Sequence, residues 1–212
     1  MTASREPKRL PRLHLVTDDD VLREPGQPAT AEALLEAGGD RVALHIRGPG
    51  LEGREIWERA AHCMEIARRT GGWLFVNDRI DVALACGAPG VQLGRASIPI
   101  ASARALLGDR VAIGASVHSR REATEAAAEG ADFVFVGTLY ETPTHPGRRG
   151  SGTSLLGEVA DIGIPMIGIG GVSPDRVREV LAAGAHGVAV IRGVWGATDP
   201  VDALREYLEK LE

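Results

Sequence analysis

The chain has 212 residues, a formal net charge of -5, 44% hydrophobic residues and 27 glycines. Of its 24 basic residues only Lys8 and Lys210 are lysines, so arginine carries nearly all the positive charge. This length suits one large domain or two small ones with a real core, and an acidic balance without a basic stripe argues against nucleic acid as the main partner. Residues 1–12 are basic, polar and interrupted by Pro7 and Pro11, which predicts a flexible N-terminal tail without an apolar signal centre. From residue 13 onward, short apolar runs at 13–17, 42–47, 73–77, 90–93, 111–117, 133–137, 165–169 and 187–191 predict eight strands. Amphipathic stretches near 29–37, 53–70, 79–86, 99–107, 119–129, 153–161, 174–183 and 198–211 predict the helices between them. Ser173 followed by Pro174 reads as a helix start, and Gly130 and Gly184 read as helix ends. Strict alternation implies parallel strands with crossover helices, so residues 13–212 are expected to form a single (β/α)8 TIM-barrel domain. A doubly wound sheet is the alternative, weakened because no GxGxxG follows the first strand. No run approaches the ~20 apolar residues of a membrane helix, so a cytoplasmic protein without a membrane partner is expected. Cys63 and Cys86 lack CxxC spacing and are expected as reduced thiols.

Side chains alternate along a strand, which sorts each strand into a set facing the barrel interior and a set facing the helices. In the second strand, Val42, Leu44 and Ile46 suit the helix side, leaving Ala43, His45 and Arg47 inward with Arg47 at the top. In the fifth, Val111, Ile113, Ala115 and Val117 suit the helices, leaving Ala112, Gly114, Ser116 and His118 on the other side. The third strand ends at Asn77 and Asp78, and the fourth presents Gln92 beside Gly94. Polar groups therefore gather at the C-terminal strand ends, where barrel enzymes place their chemistry. His45 or Gln92 alone reads more readily as a hydrogen-bonded interior group than as a catalyst. Arg47 calls for an anionic partner, either a carboxylate or a ligand. His118 is the acid/base candidate, since imidazole titrates near neutrality.

Gly170 and Gly171 end the seventh strand, while Arg192 and Gly193 follow the eighth. Barrels frequently bind phosphate at these two mouths, where glycine lets backbone N–H groups approach an anion. The competing readings are that the glycines relieve crowding and that Arg192 pairs with a surface acid. Residues 138–153 form the longest polar segment, whose glycines, prolines and paired Arg148 and Arg149 suit a lid over a charged ligand.

Several motifs together resemble the thiamin phosphate synthase and thiazole tautomerase superfamily across residues 13–211: LHLVTDD at 13, HIR at 45, VNDRIDVALACGAPGVQLG at 76, GASVHS at 114, GADFVFVGTLYETPTH at 130 and IPMIGIGGVSPDRVREVLAAGAHGVAVIRGV at 164. The resemblance implies a TIM barrel acting on a small phosphorylated thiazole. The synthase branch joins a pyrimidine pyrophosphate to the thiazole phosphate and needs cations and magnesium around the departing pyrophosphate. Its motifs look like QLREK, ND, GQED and TPTK, where this chain reads HIRGP, ND, GRAS and TPTH. Pro49 and His145 thus stand at the two lysines and Ser97 at the magnesium-binding acid. The tautomerase (TenI-type) branch is closer in HIR, VQLGRAS, SVHS and the Glu141-Thr142 pair.

By that resemblance the chain is expected to be a thiazole tautomerase without cofactor or metal, in which His118 moves a proton to give the aromatic thiazole. Arg47, His45, Asn77, Gln92, Ser116, Glu141 and Thr142 are then expected to bind substrate, and Gly170, Gly171, Arg192 and Gly193 its phosphate. Two alternatives stand beside it. One is a divergent synthase that uses magnesium, with Arg47, Arg95, Arg148 or Arg149 replacing the lysines; the other is a non-catalytic regulatory barrel that binds thiazole phosphate. A homodimer is expected, with Trp57, Trp73 and Trp195 as interface candidates.

Overall fold

The structure, a computed structural model, describes residues 9–142 and 150–212. His145, Arg148 and Arg149 lie outside the described residues, as does most of the expected tail. Eight parallel strands close into a barrel in sequence order: β1 (Leu13–Val16), β2 (Val42–Ile46), β3 (Trp73–Asn77), β4 (Gly90–Leu93), β5 (Ala112–Val117), β6 (Phe133–Val136), β7 (Met166–Ile169) and β8 (Gly187–Val190). Pairing of β1 with β8, through Leu13 and Val188, closes the ring. This is the (β/α)8 architecture expected from the alternation.

Around the barrel lie α1 (Asp19–Arg23), α2 (Gln27–Gly38), α3 (Gly53–Thr70), α4 (Ile80–Cys86), α5 (Ile100–Leu107), α6 (Arg120–Glu129), α7 (Ser154–Val159), α8 (Pro174–Ala182), α9 (Arg192–Trp195) and α10 (Pro200–Lys210). Helix α1, a 3-10 turn at Gly39–Arg41 and α9 go beyond the sequence expectation. Each is at most five residues long, too short to show a 3.6-residue period. Helix α1 is held instead by its cap, with Asp18 Oδ1 accepting from Val21 N at 2.9 Å. Ser173 precedes α8 as expected but makes no side-chain capping bond; Pro174 begins the helix.

Two buried clusters reproduce the strand parity. The larger joins Val42, Leu44, Ile46, Ile113, Ala115 and Val117 to the helices. The smaller fills the barrel with Leu10, Val16, Ala43, Phe75, Ala112, Phe133, Phe135, Ile167 and Ala189. Two of the phenylalanines fit because glycine stands against them: a Cβ at Gly90 would collide with the Phe75 ring, and one at Gly114 with Phe133 and the Gln92 amide. Leu10 and Pro11 are buried, so the barrel takes in residues that the sequence reading gave to the tail. The Leu10 carbonyl accepts from His186 Nε2 at 3.0 Å, and the Arg12 guanidinium reaches the His186 and Leu211 carbonyls, which ties the segment before β1 to the segments before β8 and after α10.

Among the described residues no helix is long and apolar enough to cross a membrane. Cys63 and Cys86 are free thiols, and burial pushes the Cys63 thiol up to about 12, which keeps it protonated and unreactive.

Candidate active site

The C-terminal ends of β2, β3, β4 and β5 bring Arg47, Asn77, Asp78, Gln92, Ser116 and His118 to one rim. Register places them side by side: Ile46 pairs with Val76 and Asn77 with Gln92, so Arg47 stands next to Asn77 across the β2–β3 seam. The Arg47 backbone is clasped by Thr17 after β1, whose Oγ1 accepts from Arg47 N at 2.8 Å and donates to Arg47 O at 3.0 Å. Its half-buried guanidinium has no carboxylate partner among the described residues. Other rim arginines are compensated: Arg79 by Asp81 at 2.5 Å, Arg95 by Glu122 at 3.9 Å and Arg192 by Asp20 at 2.9 Å.

Asp78 has φ 62°, the one left-handed backbone outside glycine among the described residues, a conformation with a cost that the surrounding bonds must offset. Its N–H donates to the Gln92 carbonyl at 2.9 Å, and its Oδ1 accepts from Gly94 N at 2.8 Å and from the Ser97 hydroxyl. Asp78 and Ser97 thus form one oxygen-rich corner at the mouth. Among the described residues no group of three or more His, Cys, Asp or Glu gathers as a metal cage.

His118 follows β5 and precedes α6, which Ser119 caps by accepting from Glu122 N at 3.2 Å. The Glu122 carboxylate in turn accepts from His118 N at 2.7 Å. His118 Nδ1 donates to the Gly137 carbonyl at the end of β6. A carbonyl only accepts, so in the neutral ring the proton sits on Nδ1 and Nε2 carries the lone pair. That arrangement suits a general base.

Gln92 is buried and donates from Nε2 to Ser116 Oγ at 3.1 Å, which orients the Ser116 hydroxyl. His45 is fully buried one layer below the rim, so it meets the mouth only through Asn77, whose Oδ1 lies 3.4 Å from His45 Nδ1. Glu141 is exposed, with its backbone against Gly171, and Thr142 is half-buried.

At the expected phosphate mouths, Gly170 (φ 100°) and Gly171 (φ 63°) both need the left-handed region. The segment after β6 lies along this turn, with Leu139 N donating to Ile169 O and Tyr140 N to Gly170 O, both at 2.9 Å. A Cβ at Gly193 would meet the Tyr207 hydroxyl, which itself donates to Val172 O at 2.8 Å. Crowding therefore accounts for glycine at these positions. Arg192 is bound to Asp18 at 3.1 Å and Asp20 at 2.9 Å, the surface-acid pairing that stood as the competing reading.

Sequence reasoning passed over His14, Asp18, Asp20 and Arg176. Arg176 stacks 4.2 Å over the Tyr140 ring and donates to Gly171 O at 2.8 Å, fastening the turn to the β6 segment. For His14 the signal was present, because it alternates with Leu13 and Leu15 on the inward parity of β1. It is fully buried, with Nδ1 2.8 Å from His45 Nε2 and Nε2 3.0 Å from the Pro11 carbonyl. Burial pushes His14 down to about 3 and holds His45 well below its usual range.

The sign of the resulting pH dependence follows from proton uptake. Below about pH 6.5 the unfolded chain protonates His14 while the folded chain does not, so stability falls as pH drops through the window from about 6.5 to about 3. His14 alone is expected to remove about 2 kcal/mol between pH 6.5 and 5, at ~1.4 kcal/mol per unit. Urea unfolding at pH 7 and pH 5 measures this, and the share due to His14 should vanish in His14→Gln. A flat profile in the parent would refute it.

Comparison with known proteins matches residues 13–194 to the family described as thiamine monophosphate synthase (TMP-TENI). A thiamine-phosphate synthase of Methanoculleus marisnigri is 38% identical over 201 residues, covering 94% of each chain. One of Gloeobacter violaceus is 39% identical over 201 residues, covering 94% of this chain, which spans only 57% of that protein's length. Among solved structures, thiamine phosphate pyrophosphorylase from Pyrococcus furiosus superposes with a TM-score of 0.82 at 34% identity, covering 94% of this chain and 95% of the other. A match of that extent, on a barrel with these residues at its rim, makes this chain a member of the thiamine monophosphate synthase family.

Proposed function

We propose that this chain is a thiamine-phosphate synthase, joining a pyrimidine pyrophosphate to a thiazole phosphate as a carbon–nitrogen bond forms and pyrophosphate departs. The relatives' shared name supports this reading over the tautomerase expected from the local motifs. The observation that carries it is the Arg47 guanidinium, which has no carboxylate partner among the described residues and follows β2 next to Asn77, a cation held ready for anionic ligand oxygens. Asp78 and Ser97 also fit the magnesium that such a reaction uses, since that ion is commonly held by one or two carboxylates plus substrate phosphates. When bound there, the ion would neutralise charge on the leaving pyrophosphate. The protein's own contribution is orientation: Arg47 binds the anion and Gln92 sets the Ser116 hydroxyl.

A second reading, the tautomerase, is favoured by His118, whose Nδ1 bond leaves Nε2 as a base, and by Ser97 standing where an acid would complete the metal corner. One experiment separates the two. Purified protein is given both phosphorylated halves with magnesium and assayed for thiamine phosphate; in parallel it is given the dihydrothiazole carboxylate phosphate and followed by absorbance. Product in the first arm is expected. Product in the second arm alone would overturn the synthase reading, and His118→Ala should then lower turnover by about 10²- to 10⁴-fold. Thiazole phosphate binding without turnover in either arm would leave a regulatory barrel.

A further inference from the structure

Strand β1 ends at Val16, yet its bonding to β2 runs one rung further. Thr17 N donates to the His45 carbonyl at 3.0 Å, and in a parallel ladder the next rung would carry Arg47 N to the Thr17 carbonyl. Here the Thr17 side chain takes that rung. Its Oγ1 accepts from Arg47 N at 2.8 Å and shares its one hydrogen between the Arg47 carbonyl at 3.0 Å and the His45 carbonyl at 3.1 Å. Thr17 has zero exposure, so water cannot replace these bonds. With its carbonyl relieved of the rung, the chain turns at once into Asp18, which caps α1 and accepts from Arg192 at 3.1 Å. Two consecutive residues thus reach to opposite sides of β1, Thr17 to the end of β2 and Asp18 to the residue after β8.

We propose that Thr17 is a positioning residue for anion binding, acting through Arg47. Arg47 lies one residue past β2 and is followed by Gly48 and Pro49, and the hydroxyl ties both its N–H and its carbonyl to the end of β1. Its guanidinium has no carboxylate partner among the described residues to orient it, so the backbone sets its direction. Two-pronged contact with phosphate oxygens tolerates errors of only about 0.5 Å and 10–20°. Threonine suits this duty because its β-branch stiffens χ1 and its hydroxyl is acceptor and donor at once. This deepens the proposed function and rests on Arg47 meeting the anion.

The test is calorimetric binding of inorganic pyrophosphate, with magnesium, to the full chain. Thr17→Val exchanges the hydroxyl for a methyl of similar volume and leaves Arg47 N without its acceptor. Its Kd should rise about tenfold, the equivalent of one net hydrogen bond. Thr17→Ser keeps the oxygen and should stay within about twofold of the parent. Added to Arg47→Ala, Thr17→Val should change Kd by less than about twofold, because no guanidinium is left to aim. A Thr17 effect that persists in Arg47→Ala, or a serine variant as weak as the valine one, would overturn this proposal alone. Binding left intact by Arg47→Ala would refute the anion role of Arg47 and this proposal with it. If the valine variant fails to fold, amide hydrogen exchange of the parent decides: Arg47 N–H should be as protected as the N–H groups within β2, and exchange at the rate of an exposed loop would overturn the proposal. Failure of both activity assays would remove the proposed function while leaving these binding results intact.

Discussion

Replacing Arg47 by alanine is expected to lower kcat/KM by about 10²- to 10³-fold, the range seen when one preorganised donor to developing negative charge is lost. The effect is large because the guanidinium has no carboxylate to satisfy among the described residues, so its full charge is available to a ligand. Its backbone is already held at both ends by the Thr17 hydroxyl, so the side chain is presented from a rigid strand end. Arg47→Lys should recover only part of the loss, since an ammonium cannot reproduce the planar two-pronged contact. Steady-state kinetics with magnesium and both substrates measures it. A change below about tenfold would show that the anion sits elsewhere on the rim.

The second large effect is on stability. Arg104→Ala is expected to cost about 3–5 kcal/mol, the range for breaking one side of a buried ion pair. Arg104 donates to the carbonyls of Gly108 and Val111, both at 2.8 Å, to Gly130 at 2.9 Å and to Asp132 at 2.6 Å. One side chain thereby joins the end of α5, the approach to β5, the end of α6 and the start of β6. Asp132 also accepts from Ile113 N at 2.8 Å, so removing the arginine leaves a carboxylate with only 12% exposure short of its cation. Urea unfolding should show a lower midpoint with an unchanged slope. A loss under about 1 kcal/mol would mean that the carboxylate finds compensation on its own.

The barrel was legible because eight apolar runs alternate with amphipathic stretches and because strand parity sorts His45 from Leu44 and Ser116 from Val117. The rim was legible for the same reason: Arg47, Asn77, Gln92, Ser116 and His118 share strand ends. What escaped depends on contacts between distant strands. The His14–His45 pair needs the β1–β2 register, which sets Val16 against His45 and brings the two rings together within the barrel. The capture of Arg192 by Asp18 and Asp20 needs the barrel to close, since 174 and 172 residues separate the partners. On the reaction, local motifs and whole-chain similarity point apart. Three substitutions, at Pro49, Ser97 and His145, favour the tautomerase motif, whereas the relatives matched over 94% of the chain carry the synthase name. Weighing a few reactive positions against the whole chain requires the site geometry, where the Ser97 hydroxyl still offers an oxygen beside Asp78.

The ties of Leu10 and Arg12 to His186 and Leu211 brace the floor of the barrel, opposite the rim. Leu10 stoppers the inner cluster from below. Floor and mouth are thereby built from separate sets of residues, so a substitution that loosens the floor is a change in stability that leaves Arg47, Asn77 and His118 on their own strand ends.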